Sequence, residues 1–264
     1  MDNTKATFIL ALLGALAWLP QIIYVIYKWL VRPQLRFVPE STTEIGYSSF
    51  GPIINQTFAI SSSRKDALIE RVSLAVIHES GARHDFNWRS LREKGGEGLS
   101  SSGERVEYTK NQSAIALKVG TLGLIEKLIG FTDLSYFEKF NPYINALTEK
   151  TAFLKKQFGD SFGNELTKTK EFSDTIDFIK AGYFWKEGVY DVYLYANETS
   201  IKKPHTEHFK FRLTKENAEH LEKNIKITQD YINSLVVPIN DANTKSKQWL
   251  WNWVNPVFVR VSDK

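Results

Sequence analysis

The chain of 264 residues contains no cysteine. Thiol nucleophiles, disulfides and cysteine-ligated metals are therefore excluded outright. The absence agrees with a reducing compartment without proving one. No HExxH motif occurs, because His78-Glu79 runs into the turn Ser80-Gly81-Ala82. Of the other histidines (His84, His205, His208 and His220), His205 and His208 lie three apart. On an extended strand that spacing puts them on opposite faces, unsuited to a shared metal. Gly46-Tyr47-Ser48-Ser49-Phe50-Gly51 lacks the glycine spacing of a nucleophile elbow. The Gly/Ser-rich stretch 95–103 lacks the Gly-Lys-Ser/Thr ending of a phosphate-binding loop and is read as a hairpin connection. No repeat is present at solenoid periods. A net charge of +4 without a basic stripe gives no reason to expect a nucleic-acid partner. No catalytic constellation, metal site or cofactor is expected from these residues.

What is present begins with a long apolar run, Thr7 to Val31, uncharged until Lys28. As a helix it would extend roughly 37 Å, enough for one tilted crossing of a hydrocarbon core about 30 Å thick. The sequence therefore predicts a single-pass transmembrane anchor over residues 1–31. A signal peptide cleaved near Ala15-Leu16-Ala17 is the rival reading, disfavoured because apolar character continues well past Ala17. Pro20 predicts a kink, and Gln21 a polar group seeking a partner across a helix interface. Ala11, Gly14 and Ala15 offer a small-residue face for close packing in an oligomer or larger complex. Lys28, Arg32 and Arg36 flank the C-terminal side, against Lys5 on the other. The positive-inside rule then predicts an integral membrane protein with its large domain in the cytoplasm. The bilayer is expected as a partner, those three cations meeting its headgroups.

Beyond the anchor, strands are predicted over 34–39, 54–60, 68–78, 83–88 and 113–119, with a loop over 90–105. In the third of these, Val72, Leu74 and Val76 alternate with Arg71, Ser73 and Ala75, the period of a half-buried strand. Leu122, Ile125, Leu128 and Ile129 fit a short helix. Helical structure over 134–158, interrupted at Asn141-Pro142, and over 172–179 follows. Strands return at 188–196 and 206–213. Thr214 then caps a helix over 214–235, and 248–261 is extended. The fold expected is a single-pass N-terminal transmembrane helix plus a mainly β, antiparallel, sandwich-like domain with a helical insertion, α+β overall. The first β-rich part is 32–120, the insertion 121–182, and the second part 183–264 completes the domain begun by 32–120.

Trp249, Trp251 and Trp253 share one parity of the final extended segment, preceded by Lys245 and Lys247. Three indoles on one face either cover the core or form a surface row for a membrane interface or a partner. The function expected is a membrane-anchored, non-enzymatic interaction module or accessory subunit, with a protein partner or self-association. The alternatives are a ligand-sensing effector that oligomerises through its membrane helix and, less favoured, a membrane-associated hydrolase or transferase.

Overall fold

The computed structural model describes residues 3–99, 105–199, 203–236 and 249–261. A helix, α1 (Asn3–Leu30), precedes eight strands: β1 (Gln34–Pro39), β2 (Glu44–Ser48), β3 (Gly51–Ser63), β4 (Ala67–His78), β5 (Arg83–Leu99), β6 (Arg105–Ser113), β7 (Leu117–Val119) and β8 (Leu124–Thr132). Helices α2 (Leu134–Phe158), α3 (Phe162–Leu166) and α4 (Lys170–Ala181) follow, with a 3-10 turn at Gly159–Ser161. The chain then forms β9 (Gly188–Glu198), β10 (His205–Leu213), α5 (Lys215–Val236), β11 (Trp253–Val254) and β12 (Val259–Arg260).

The expected two-sheet sandwich is replaced by one 12-stranded antiparallel sheet, ordered β11-β2-β3-β8-β5-β4-β9-β10-β12, with β1, β6 and β7 branching from it. The long strands β3, β4 and β5 twist, and bulges in β4 and β5 add curvature. The sheet therefore curls into a half-barrel instead of stacking on a second layer. Its two path ends, β11 and β12, are halves of a single C-terminal segment. That segment pairs with β2 through Val254 and Ile45, bridges Thr42 through Val257, and pairs with β10 through Val259 and Lys210. It straps the open edges together. Inside, Phe37, Phe58, Phe209 and Phe258 form a chain of ring contacts 5.0–5.8 Å apart. Trp185 stacks on Phe86 and donates its indole N–H to the Gly46 carbonyl at 2.8 Å, which satisfies its one polar atom in a buried site.

Three local expectations are corrected. Residues 124–132 are a strand, not a helix: β8 is hydrogen-bonded on both sides, to β3 and β5, and long-range pairing overrides a spacing that fits either period. Much of the predicted 90–105 loop is β5 and β6, paired from Ser90–Ser113 to Leu99–Arg105. Helix α2 runs through Pro142 without a break, its buried Tyr136, Phe140, Leu147 and Leu154 holding it against the molecule on both sides of the proline.

Tyr136 shows how closely these helices dock. An added Cβ at Gly51 or Gly182 would stand 2.5 or 2.4 Å from its ring, so both positions need glycine. Asp133 caps α2, accepting from the Ser135 and Tyr136 N–H groups at 2.9 and 3.2 Å. Thr214 and Asn217 exchange reciprocal bonds at 3.2 Å at the start of α5. The face of α5 carrying Leu221, Asn224, Thr228 and Ile232 is buried, the spacing of a helix with one side on the core.

The membrane assignment is also corrected. Among the described residues, no helix is long and apolar enough to cross a membrane. Pro20 and the polar Gln21 stand inside α1, where each lowers the apolarity that a span requires. The single-pass anchor, the integral membrane localisation and the cytoplasmic orientation derived from it are therefore not supported.

Candidate functional site

The outer face of the half-barrel carries a cleft of about 690 Å³, within the size range of small-ligand pockets. Its floor follows from strand register. One row runs Trp253, Gly46, Ile53, Thr132 and Asn87 across β11, β2, β3, β8 and β5. Two positions along, the next runs Glu44, Asn55, Gly130, Ser90 and Ser113 across β2, β3, β8, β5 and β6. Residues of the other parity, such as Ile45, Ile54 and Phe131, face the core.

Two glycines shape this floor. An added Cβ at Gly46 would meet the Trp253 ring at 2.5 Å, so the missing side chain is the space in which that indole lies. At Gly130 it would meet Ser90 Oγ at 2.5 Å and Asn55 Oδ1 at 3.2 Å. The gap lets the polar groups of β3 and β5 converge across β8. Asn55 Nδ2 donates to Glu44 Oε2 at 3.1 Å, fixing which way the amide points. Thr132 is 9% exposed, and its Oγ1 has no hydrogen-bond partner among the described residues.

The walls are aromatic and cationic. Trp249 and Trp251 are half-buried and Trp253 is 37% exposed, and all three line the cleft with Tyr231. The Tyr231 ring stands edge-on to Trp249 and Trp251, at 5.6 and 6.1 Å between centroids. Asn224 of α5 holds the row in place: its amide donates to the Asn252 carbonyl at 2.8 Å and accepts from the Asn252 N–H at 2.7 Å. Opposite, β5 pairs Trp88 with Phe131 and Ser90 with Gly130, leaving Arg89 as the extra residue of a bulge. Bulges redirect side chains. Arg89 joins Arg92 in the cleft, its guanidinium 4.8 Å from the Phe50 ring centroid. The side chains lining the cleft include two arginines and no aspartate, glutamate or histidine among the described residues, the exposed Glu44 of the floor row standing behind Asn55.

The expected site residues fall in two places. Trp249, Trp251 and Trp253 are brought together in the cleft, whereas Lys245 and Lys247 lie outside the described residues. Pro20 and Gln21 are exposed on α1, Arg32 and Arg36 are exposed beyond it, and nothing stands within 4 Å of an added Cβ at Gly14. The side chains of Ala11, Ala15 and Lys28 are outside the described set. Sequence reasoning missed Asn55, Arg89, Arg92, Thr132 and Tyr231. The paired glycine signals at 46 and 130 become informative only once register places them beside Trp253 and Asn55.

Other polar clusters bind the fold together. His84 Nδ1 lies 2.9 Å from Asp133 Oδ2. Burial alone would push the Asp133 carboxyl up, but the bonds from His84, Ser135 and the Tyr136 N–H outweigh it and hold it below the usual carboxylate range. His205 and His208 turn to different carboxylates, Glu207 at 3.0 Å and Asp191 at 2.6 Å. Among the described residues, no three metal-ligating side chains come together. Burial raises the Tyr47 phenol, which bonds Tyr136 at 3.2 Å and the Ile179 carbonyl at 2.6 Å, and pushes Tyr136 up to about 12.

No protein family matches the sequence, and no match is found among curated proteins. Among solved structures, a family 123 glycoside hydrolase from Clostridium perfringens, described for glycolipid glycan hydrolysis, aligns with a TM-score of 0.31 at 8% identity. The alignment covers 69% of this chain and 28% of that one. A likeness this weak carries no argument about fold or activity here.

Proposed function

We propose that this protein is a non-enzymatic binding module that takes its ligand in the tryptophan-lined cleft. The observation supporting this reading is the row of Trp249, Trp251 and Trp253, held along a preformed cleft without being sealed into the core. An indole left half in water gains free energy when a ligand covers it, and tryptophan, tyrosine and arginine are the residues that most often dominate binding energy. The Asn224 clamp and the Gly46 seat position the row before a ligand arrives, which lowers the ordering entropy lost on binding. The lining groups are suited to stacking and hydrogen bonding, the two contacts that hold and orient a bound molecule.

The test is a ligand-observed NMR screen of the whole chain against soluble oligosaccharides, nucleotides and short peptides, including proline-rich ones. At least one class binds, and its signals are lost in Trp251→Ala and Trp253→Ala variants with unchanged far-UV circular dichroism. No binder in any class, or binding indifferent to both substitutions, overturns the reading.

A further inference from the structure

We infer that the cleft takes an acidic saccharide, a pyranose chain stacked on the indoles with its carboxylate or sulfate on Arg89 and Arg92; this rests on the cleft being a ligand site. The chemistry of the lining carries it. A pyranose is amphipathic: C–H groups make one face apolar, while hydroxyls around the rim both donate and accept hydrogen bonds. Its apolar face matches an exposed indole, and its rim needs closely spaced neutral partners.

The cleft supplies both. Trp249, Trp251 and Trp253 are spaced along about 13 Å of extended chain, room for more than one sugar ring. Ser48, Asn55, Ser90, Asn111, Gln112 and Thr132 provide amides and hydroxyls around it. Thr132 Oγ1 is the most telling of these. A buried hydroxyl without a partner is costly, and Thr132 lies in the same cross-strand row as Trp253. The hydroxyl is closed off from solvent, so a ligand hydroxyl satisfies it only where the floor opens to admit one.

The arginines supply the acidic preference. Among the described residues neither Arg92 nor Arg89 has a carboxylate partner, and the Arg89 guanidinium lies 4.8 Å from the Phe50 ring centroid. Two guanidiniums favour an anion where the one described carboxylate of the floor rows, Glu44, is bonded to Asn55, and their fork geometry matches carboxylate or sulfate oxygens. A nucleic-acid strand fits less well, because its affinity depends on neutralising many phosphates along a basic track. A proline-rich peptide would use the aromatic groove, but that mode of recognition places no anion on the paired arginines.

The test is isothermal titration calorimetry of the whole chain with paired oligosaccharides, each acidic member (uronic-acid, sialylated or sulfated) beside its neutral counterpart of the same length. In at least one pair the acidic member binds tenfold or more tightly. Arg92→Gln removes that preference, and Trp251→Ala weakens both members. Equal affinities within every pair overturn the assignment of the arginines, and acidic binding that survives Trp251→Ala shows surface charge attraction alone and overturns the cleft as the saccharide site. Nucleotides or peptides binding in the cleft while every saccharide fails overturns the saccharide inference but leaves the binding-module reading standing. Failure of every class sinks both.

Discussion

Asn224 and Asn252 are joined by two hydrogen bonds that use the side chain of the first and only the backbone of the second. Asn224 is fully buried on α5, at 0% exposure, so its carboxamide satisfies both backbone polar groups of the residue between Trp251 and Trp253. The asymmetry makes a sharp prediction. Asn224→Ala leaves the Asn252 N–H and C=O without those partners and destabilises the fold by about 1–3 kcal/mol. Asn252→Ala keeps both backbone groups and changes stability little. Urea unfolding of the two variants checks the contrast; equal losses would mean that the Asn252 side chain contributes what the backbone bonds are credited with. The near-UV circular dichroism of the indoles should also collapse in Asn224→Ala alone.

Gly46→Ala tests the seat of Trp253. The new Cβ would lie 2.5 Å from the ring, closer than any stable contact, so either the indole or β2 must move. Trp253 is 37% exposed at its rim and has room to swing out, whereas the Gly46 carbonyl is tied to the Trp185 indole. The indole therefore gives way. The expected result is a modest stability loss, about 1–3 kcal/mol for overpacking, with increased quenching of tryptophan fluorescence by acrylamide. Unchanged quenching would show that the strand had shifted instead.

Much of the strand framework is legible because period-2 alternation survives along β9 and β10, and in β4 on either side of the slip at Glu70–Arg71, broken only by the buried Ala75. β8 is not legible in the same way. Ile125, Leu128 and Ile129 satisfy a helical spacing as well as an extended one, and only pairing with β3 and β5 decides between them. Closure of the sheet is invisible locally, since it depends on residues 253–260 meeting both Ile45 and Lys210. In the cleft, the tryptophan parity is written in the sequence. The presence of Arg89 beside those indoles is not, because its bulge arises from how β5 registers on Phe131 and Gly130. The N-terminal apolar run reads by composition as a span, yet no described helix is long and apolar enough to cross a membrane, and Pro20 and Gln21 stand inside α1.

Asp133 couples the cap of α2 to acid stability. Its carboxyl is held below the usual range in the folded chain, so its contribution is fully present above the ordinary carboxylate pKa, about 3.9, and is lost as pH falls through the lowered folded value. Asp133→Ala should cost about 1–2 kcal/mol near neutrality. The gap between wild type and variant should then narrow as urea unfolding is repeated from about pH 5 down to about pH 2. A gap independent of pH would mean that the carboxylate charge contributes nothing beyond its shape.

Arg260 and Glu207 decide whether the C-terminal strap is held by more than its short strands. Glu207 has a side chain only 1% exposed, and its carboxylate accepts the Phe37 N–H at 3.1 Å while pairing with Arg260 at 2.5 Å. One acid thus ties β1, β10 and β12 at the seam where the half-barrel closes. Arg260→Met leaves that carboxylate short of its main counter-charge. Because Arg260 is 44% exposed, water compensates in part, and the loss should fall at about 1–3 kcal/mol, below the full figure for breaking a buried pair. Glu207→Gln retains an acceptor for Phe37, so a double-mutant cycle isolates the ionic part. Coupling of about 1 kcal/mol or more is expected. Faster amide exchange should follow at Phe258, whose N–H bonds the Ser41 carbonyl on the other side of the strap. If the cycle gives no coupling and Phe258 exchange is unchanged in Arg260→Met, closure rests on the backbone pairings and the Phe209–Phe258 ring contact, and the ion pair is incidental to it.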